Sequence, residues 1–97
     1  MKFYLVTDLE GVAGVFTWEN REDTSLENHE RRCRQRRWLA EEVGAAAGGL
    51  YDGGASDVTI NDGHGAGFTI DLDYIDPRVK VMHGRQRPFY CLSLIHI

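Results

Sequence analysis

Residues 3–11, FYLVTDLEG, run from an apolar segment directly into two carboxylates and a glycine. An apolar run of this length is typical of a strand buried on both faces, as in a parallel sheet. Asp8 and Glu10 follow that strand, at the edge where open parallel sheets bind ligands. Two interpretations remain open for this pair: a strand exit that faces water, or half of a metal site.

A long helix is predicted downstream of this segment, from about Leu26 to Tyr51. Ser25 is a plausible N-cap and Gly53-Gly54 a plausible stop. The apolar positions recur with the spacing of one helix face, at Leu39, Val43, Ala46 or Ala47, and Leu50. We expect this face to pack on the sheet.

The remaining pattern predicts two more strands, at residues 57–61 and 78–82. The first is followed by the glycine-rich turn DGHGAG at 62–67, and a brief helix is expected near residues 70–75. The order β-α-β-(α)-β predicts an α/β fold of the three-layer type, with a parallel sheet and right-handed crossovers.

Size and composition limit the classes of function. Ninety-seven residues correspond to one small domain, and the net charge of −4 gives no electrostatic reason to expect nucleic acid or an acidic membrane as partner. No segment approaches the roughly 20 apolar residues of a membrane span, and Asp8 and Glu10 interrupt any signal-peptide pattern. We therefore expect a cytoplasmic protein, in which Cys33 and Cys91 are free thiols.

Five arginines lie within residues 31–37 of the predicted helix, flanked by acidic residues. A nucleic-acid contact is one interpretation of such a cluster. The simpler one is a solvated helix face, because i, i+4 pairs of opposite charge are available. These pairs are Glu27 with Arg31, Glu30 with Arg34, and Arg37 with Glu41.

A second polar group follows the second predicted strand, where Asp62 and His64 lie. If the long helix is a single crossover, the two strands are neighbours and both polar groups meet at one rim of the sheet. Carboxylates and imidazole are the ligand set of zinc and related divalent ions. Asp8, Glu10 and His64 are therefore predicted metal ligands, although a plain turn at NDGHG is the alternative.

Neighbouring residues are expected to support this site. Gly11, Gly63 and Gly65 remove side-chain bulk beside the ligands and permit positive φ where the loops turn. Asn61 and Asp62 are candidates to accept the second N–H of a ligating imidazole.

At these residues the chain resembles the D-aminopeptidase family of zinc metallopeptidases. The motifs are TDLEGVAGV at 7–15 and VTINDGHG at 58–65, with WLAEEVGAAAGG at 38–49 and RVKVMHGRQRPF at 78–89 similar to a helix and a later strand of the family. The likeness runs from Met1 to about Phe89 with similar motif spacing.

The resemblance implies a two-zinc aminopeptidase that removes N-terminal D-amino acids from peptides and forms large ring-like homo-oligomers. By position, Asp8 would bridge two zinc ions, Glu10 would bind one and His64 the other. The ions would activate a water and polarise the scissile carbonyl.

The sequence also departs from the family pattern. In the family, two further ligands, a histidine and a glutamate, come after the part of the pattern that this sequence matches. The catalytic histidine of the family also comes after it, so no catalytic residue is assigned within this sequence. Residues 1–89 are interpreted as the N-terminal part of a truncated catalytic domain. For the atypical tail 90–97, YCLSLIHI, two interpretations remain open: an artefact, in which Cys91 and His96 have no function, or the last strand of a genuine short protein. A truncated fragment is expected to bind one zinc ion or to bind zinc weakly, and to be inactive.

One other enzyme class fits the first motif. Haloacid-dehalogenase-like phosphohydrolases, which use magnesium, also begin with an apolar strand that ends in D-x-D-G, where the first aspartate is the nucleophile. Here Glu10 occupies the second acidic position, Val12 replaces the usual threonine, and NDGHG has no role in that class. An inert fragment is the non-enzymatic alternative.

Overall fold

The computed structural model describes residues 1–64 and 67–84. The tail 90–97 lies outside the residues that the structure describes. Three strands, β1 (Lys2–Thr7), β2 (Asp57–Asp62) and β3 (Lys80–Met82), form a parallel sheet in the order β1-β2-β3. The helix α1 (Leu26–Asp52) connects β1 to β2. The predicted α/β architecture and the parallel sheet are therefore confirmed.

The ends of α1 agree with the capping signals in the sequence. The side chain of Ser25 accepts a hydrogen bond from the backbone N–H of Asn28, which caps the first turn. At the other end the helix stops before Gly53, and Gly54 adopts φ +103°, a value that glycine tolerates without strain.

The hydrophobic core lies between α1 and one face of the sheet. On the helix, Leu39, Val43 and Ala47 are buried, whereas Ala46 is exposed, which settles the choice between the two alanines. On β2, Val58 and Ile60 are fully buried and belong to the same cluster. The helical spacing of the sequence thus identified the packed face correctly.

Strand β1 is less buried than its composition suggested. Phe3 and Leu5 pack against the core, but Val6, whose side chain points the other way, is 50% exposed. The prediction of a strand buried on both faces was wrong for β1, because within the described residues β1 lies at one side of the sheet and β2 occupies the centre.

Two predicted elements are shorter than expected. The stretch near residues 70–75 forms only a 3-10 turn at Leu72–Tyr74, and β3 begins at Lys80 rather than at residue 78.

Another 3-10 turn, Leu9–Gly11, follows β1 directly and carries Glu10. None of the helices in the described ranges is both long and apolar enough to span a bilayer.

Candidate metal site

The carboxyl ends of β1 and β2 bring three of the predicted site residues together. One potential ligand atom from each of Asp8, Glu10 and His64 lies within 4.8 Å of the others. The Nδ1 atom of His64 is 3.0 Å from Asp8 Oδ1 and 2.9 Å from Glu10 Oε2. This convergence follows from the parallel pairing, in which Thr7 lies opposite Asp62.

The three side chains differ in their access to solvent. The side chain of Asp8 is 69% exposed, whereas those of Glu10 and His64 are only 22% and 10% exposed. A cavity of about 560 Å³ opens beside them and is lined further by Gly63 and residues 18–22. The group therefore has a buried side, formed by Glu10 and His64, and an open side at Asp8.

Gly63 allows the close approach that places His64. Its backbone N–H donates to the carbonyl oxygen of Thr7 at 2.8 Å. A Cβ atom on Gly63 would lie 2.6 Å from that oxygen and 3.0 Å from a methyl group of Val6. Only glycine leaves enough space for the turn to run this close to the end of β1.

The two other predicted loop glycines have different outcomes. A Cβ on Gly11 would meet nothing within 4 Å, and neither Gly11 nor Gly63 adopts a positive φ. The expected use of positive φ was therefore wrong at both positions. The expected need for a residue without side-chain bulk is confirmed at Gly63 but is absent at Gly11. Gly65 lies outside the described residues.

Asp62 organises the turn after β2 and does not contact the imidazole ring. Its fully buried carboxylate accepts hydrogen bonds from the backbone N–H groups of His64, Thr69 and Ile70, at 3.2, 2.6 and 3.1 Å. The hydroxyl of Thr69 donates to it as well, at 2.7 Å. Asp62 therefore fixes the backbone around His64, where the sequence had suggested a hydrogen bond to the ring.

Asn61 also has a contact other than the predicted one. Its side-chain nitrogen donates to the hydroxyl of Tyr4 at 2.9 Å, across the β1–β2 pair. This bond lies on the sheet face opposite Ile60, because successive side chains of a strand alternate. Asn61 thus ties the two strands together just before the site.

The residue that does face the second nitrogen of the imidazole is Glu19, for which the sequence pattern predicted no role. Its Oε1 lies 3.3 Å from His64 Nε2, and its side chain is only 3% exposed. Three guanidinium groups, those of Arg21, Arg32 and Arg36, lie within 3.1 Å of its carboxylate. Because Glu19 belongs to an irregular loop, 45 residues from His64, no local pattern predicts this contact.

Electrostatics keep the acidic groups ionised. Burial alone would raise the pKa of Glu19, but hydrogen bonds from Arg32 and Arg21 and the charge of Arg36 lower that pKa to about 2. The hydrogen bond with His64 lowers the pKa of Asp8 in the same direction. Both groups therefore present negative charge to the imidazole at neutral pH.

The arginines of α1 thus have two different roles. Arg31 pairs with Glu27 and Arg37 with Glu41, as the i, i+4 spacing predicted. Arg32 and Arg36 face inward instead and share Glu19 Oε2. The prediction of a solvated helix face is therefore correct for Arg31 and Arg37. Arg32 and Arg36 instead contact Glu19 beside the candidate site.

The donor set fits a divalent cation such as zinc. Two carboxylates and one imidazole are typical zinc ligands. Glu10 Oε2 is buried and, among the residues described, has no hydrogen-bond donor aligned with it, although His64 Nδ1 is 2.9 Å away. A buried oxygen of this kind, directed into a cluster of potential ligands, is where a cation would be stabilised. The parallel α/β sheet therefore carries, at its rim, a candidate binding site for a divalent cation.

Comparison with known proteins gives the family. The family model described as D-aminopeptidase matches residues 1–96. The chain belongs to the D-aminopeptidase family. This membership accounts for both DLEG and NDGHG, and it decides against the haloacid-dehalogenase alternative, which explained only the first motif.

A comparison of sequences and a comparison of structures both match a D-aminopeptidase of Bacillus subtilis over most of this chain. The D-aminopeptidase of Bacillus subtilis (strain 168) is 26% identical over 90 residues, which are 92% of this chain and 31% of that protein. The solved structure of the Zn-dependent D-aminopeptidase DppA from Bacillus subtilis, a self-compartmentalizing protease, matches with a TM-score of 0.74 and 25% identity. That match covers 97% of this chain and 33% of the other, so the chain spans about a third of the length of these relatives.

Proposed function

We propose that this chain carries part of the zinc centre of a D-aminopeptidase, with Asp8, Glu10 and His64 as ligands. The observation that supports the proposal is the convergence of their ligand atoms within 4.8 Å at the rim of the sheet. Membership of the D-aminopeptidase family and similarity to a Zn-dependent relative favour zinc over other divalent ions.

The exposure of each side chain suggests its role. Asp8 lies on the open side of the group, where its two oxygens are accessible to two ions, so we assign it as the bridging ligand of a two-zinc centre. Glu10 and His64 are more buried and would each hold one ion. Zinc bound here would supply a water of lowered pKa and a Lewis acid for a peptide carbonyl.

The substrate we propose is a peptide with an N-terminal D-amino acid, as the names of the relatives suggest. The cavity of about 560 Å³ beside Asp8 is within the usual size range of small-molecule pockets. For the intact protein we propose a homo-oligomer, by similarity to a self-compartmentalizing protease, and a cytoplasmic location.

The 97-residue chain by itself is expected to lack peptidase activity. Among residues 1–64 and 67–84, one group of three or more potential ligands occurs, and three ligands are few for two ions. We expect weak zinc binding or the binding of a single ion. Zinc-dependent release of D-alanine from a D-alanyl peptide by the purified chain would contradict this expectation.

The metal assignment is tested by zinc titration of the wild type against His64→Ala. Loss of one ligand is expected to weaken zinc binding by at least about tenfold, because the ligand shell then loses its only imidazole. His29→Ala is the matched control, since His29 is exposed on α1 and outside the group. Equal zinc affinities of the wild type and His64→Ala would remove His64 from the site.

A further inference from the structure

The loop between β1 and α1 places a buried carboxylate behind His64. Glu19 Oε1 faces Nε2 of the imidazole at 3.3 Å, while Nδ1 on the other side of the ring faces Asp8 and Glu10. We propose that Glu19 is a positioning residue that holds His64 with its Nδ1 lone pair directed toward Asp8 and Glu10. This inference rests on the metal site proposed above.

The hydrogen-bonding capacity of the groups defines the orientation. An ionised carboxylate only accepts hydrogen bonds, so the ring nitrogen that contacts Glu19 must donate. A neutral imidazole has one donor and one acceptor, and a proton on Nε2 leaves the lone pair on Nδ1. With a cation between Nδ1 and the two carboxylates, that lone pair would bind the ion while Glu19 accepts the Nε2 proton. Without a cation Nδ1 itself would have to donate, because Asp8 and Glu10 also only accept.

The arginines hold Glu19 in this position. Its two oxygens are divided between neighbours: Oε1 contacts His64 and Arg21, whereas Oε2 accepts from Arg32 and Arg36. Arg32 and Arg36 are one turn apart on α1, so they fix one edge of the carboxylate to a rigid helix. The other edge remains directed at the imidazole.

If Glu19 only anchored the loop, its two carboxylate oxygens would not need different partners. Contacts to the two helical arginines alone would attach the loop to α1. The nearly complete burial of a carboxylate is costly unless its lone pairs are satisfied, and one of them is directed at the ring of His64. The arrangement therefore supports orientation of the imidazole in addition to attachment of the loop.

The first test reports the state of the two ring nitrogens directly. Nitrogen-15 NMR of the 97-residue chain saturated with zinc reports which ring nitrogen of His64 binds the metal and which carries the proton. The spectrum of His64→Asn identifies the signals of this histidine among the four. We expect the proton on Nε2. A proton on Nδ1, or an equal mixture of the two tautomers, would overturn the proposal.

The second test compares Glu19→Gln with Glu30→Gln, which also neutralises one carboxylate but lies on the exposed surface of α1, outside the cavity. Glu19→Gln is expected to reduce zinc affinity by about 10- to 100-fold, as is typical for residues that orient a ligand. Glu30→Gln is expected to remain within about twofold of wild type, because no contact with the ligands changes and an exposed, distant charge is screened by salt.

The outcomes distinguish the two proposals. Equal zinc affinities of the wild type and Glu19→Gln, with His64 still required, would refute the role of Glu19 and leave the metal site intact. A wild-type chain that binds no zinc would refute the metal site and, with it, the role of Glu19. Circular dichroism of both variants shows whether the helix content is retained.

Discussion

Substituting Gly63 with alanine tests how closely the two strand ends must approach. The added Cβ would lie 2.6 Å from the carbonyl oxygen of Thr7, whereas ordinary contact begins at 3.4 Å. The turn and the end of β1 must therefore separate by about 0.8 Å. The oxygen belongs to the backbone of β1, where Thr7 pairs with Asp62, so rotation of a side chain cannot relieve the clash.

The expected cost follows from two contributions. Overpacking of this kind costs about 1–3 kcal/mol, and weakening the hydrogen bond from Gly63 N–H to the Thr7 carbonyl adds about 1 kcal/mol. Gly63→Ala should therefore lower the free energy of unfolding by about 2–4 kcal/mol. Since a shift of 0.8 Å also exceeds the roughly 0.2 Å tolerance of metal–ligand distances, zinc affinity should fall by at least about tenfold.

Urea unfolding followed by circular dichroism measures the first effect, and zinc titration the second. Gly48→Ala and Gly11→Ala are matched controls, because a Cβ at either position meets nothing within 4 Å. Gly48→Ala should stabilise α1 by up to about 1 kcal/mol, and Gly11→Ala should leave zinc affinity unchanged. If Gly63→Ala were as stable as wild type and bound zinc equally well, the argument from close approach would be refuted.

Three further changes test other parts of the structure. Ser25→Ala should lower the free energy of unfolding by about 1 kcal/mol in urea melts, because it removes the cap on α1. Asp62→Ala should cost about 3 kcal/mol or more by the same measurement, since it leaves buried donors of the turn unpaired. Hydrogen bonds from Arg78 lower the pKa of Asp76 to about 2, below the unfolded value of about 3.9. Their contribution is complete above the unfolded pKa and is lost as pH falls through about 2. The difference in free energy of unfolding between wild type and Asp76→Asn should therefore shrink between pH 6 and pH 2. A difference that stays constant over this range would contradict the stabilising role of the Arg78–Asp76 contact.

The parts of the fold that depend on local pattern could be predicted from the sequence. The apolar spacing on α1 and the caps at Ser25 and Gly53 are properties of neighbouring residues, and they placed the helix within one residue at each end. The exposure of Val6 could not be predicted in this way. It depends on which strand lies at the side of the sheet, and the apolar run of β1 carries no information about that order.

The same division applies to the candidate site. Asp8, Glu10 and His64 were brought together by topology, because residues that follow neighbouring parallel strands share one edge. Glu19 could not be found, since it lies in a loop whose path depends on contacts with α1. The contacts of a buried glutamate with three arginines can be recognised only in the folded structure.

The length of α1 has a consequence for how the molecule opens. Twenty-seven residues extend about 40 Å, whereas a six-residue strand such as β2 extends about 20 Å. The C-terminal half rests on the sheet through Leu39, Val43 and Ala47. The N-terminal half is held by the loop, through the side chain of Asn28 and the ion pairs of Glu19. Amide hydrogen exchange should therefore divide one continuous helix into two zones, with the slow amides after residue 38 and the faster ones before it.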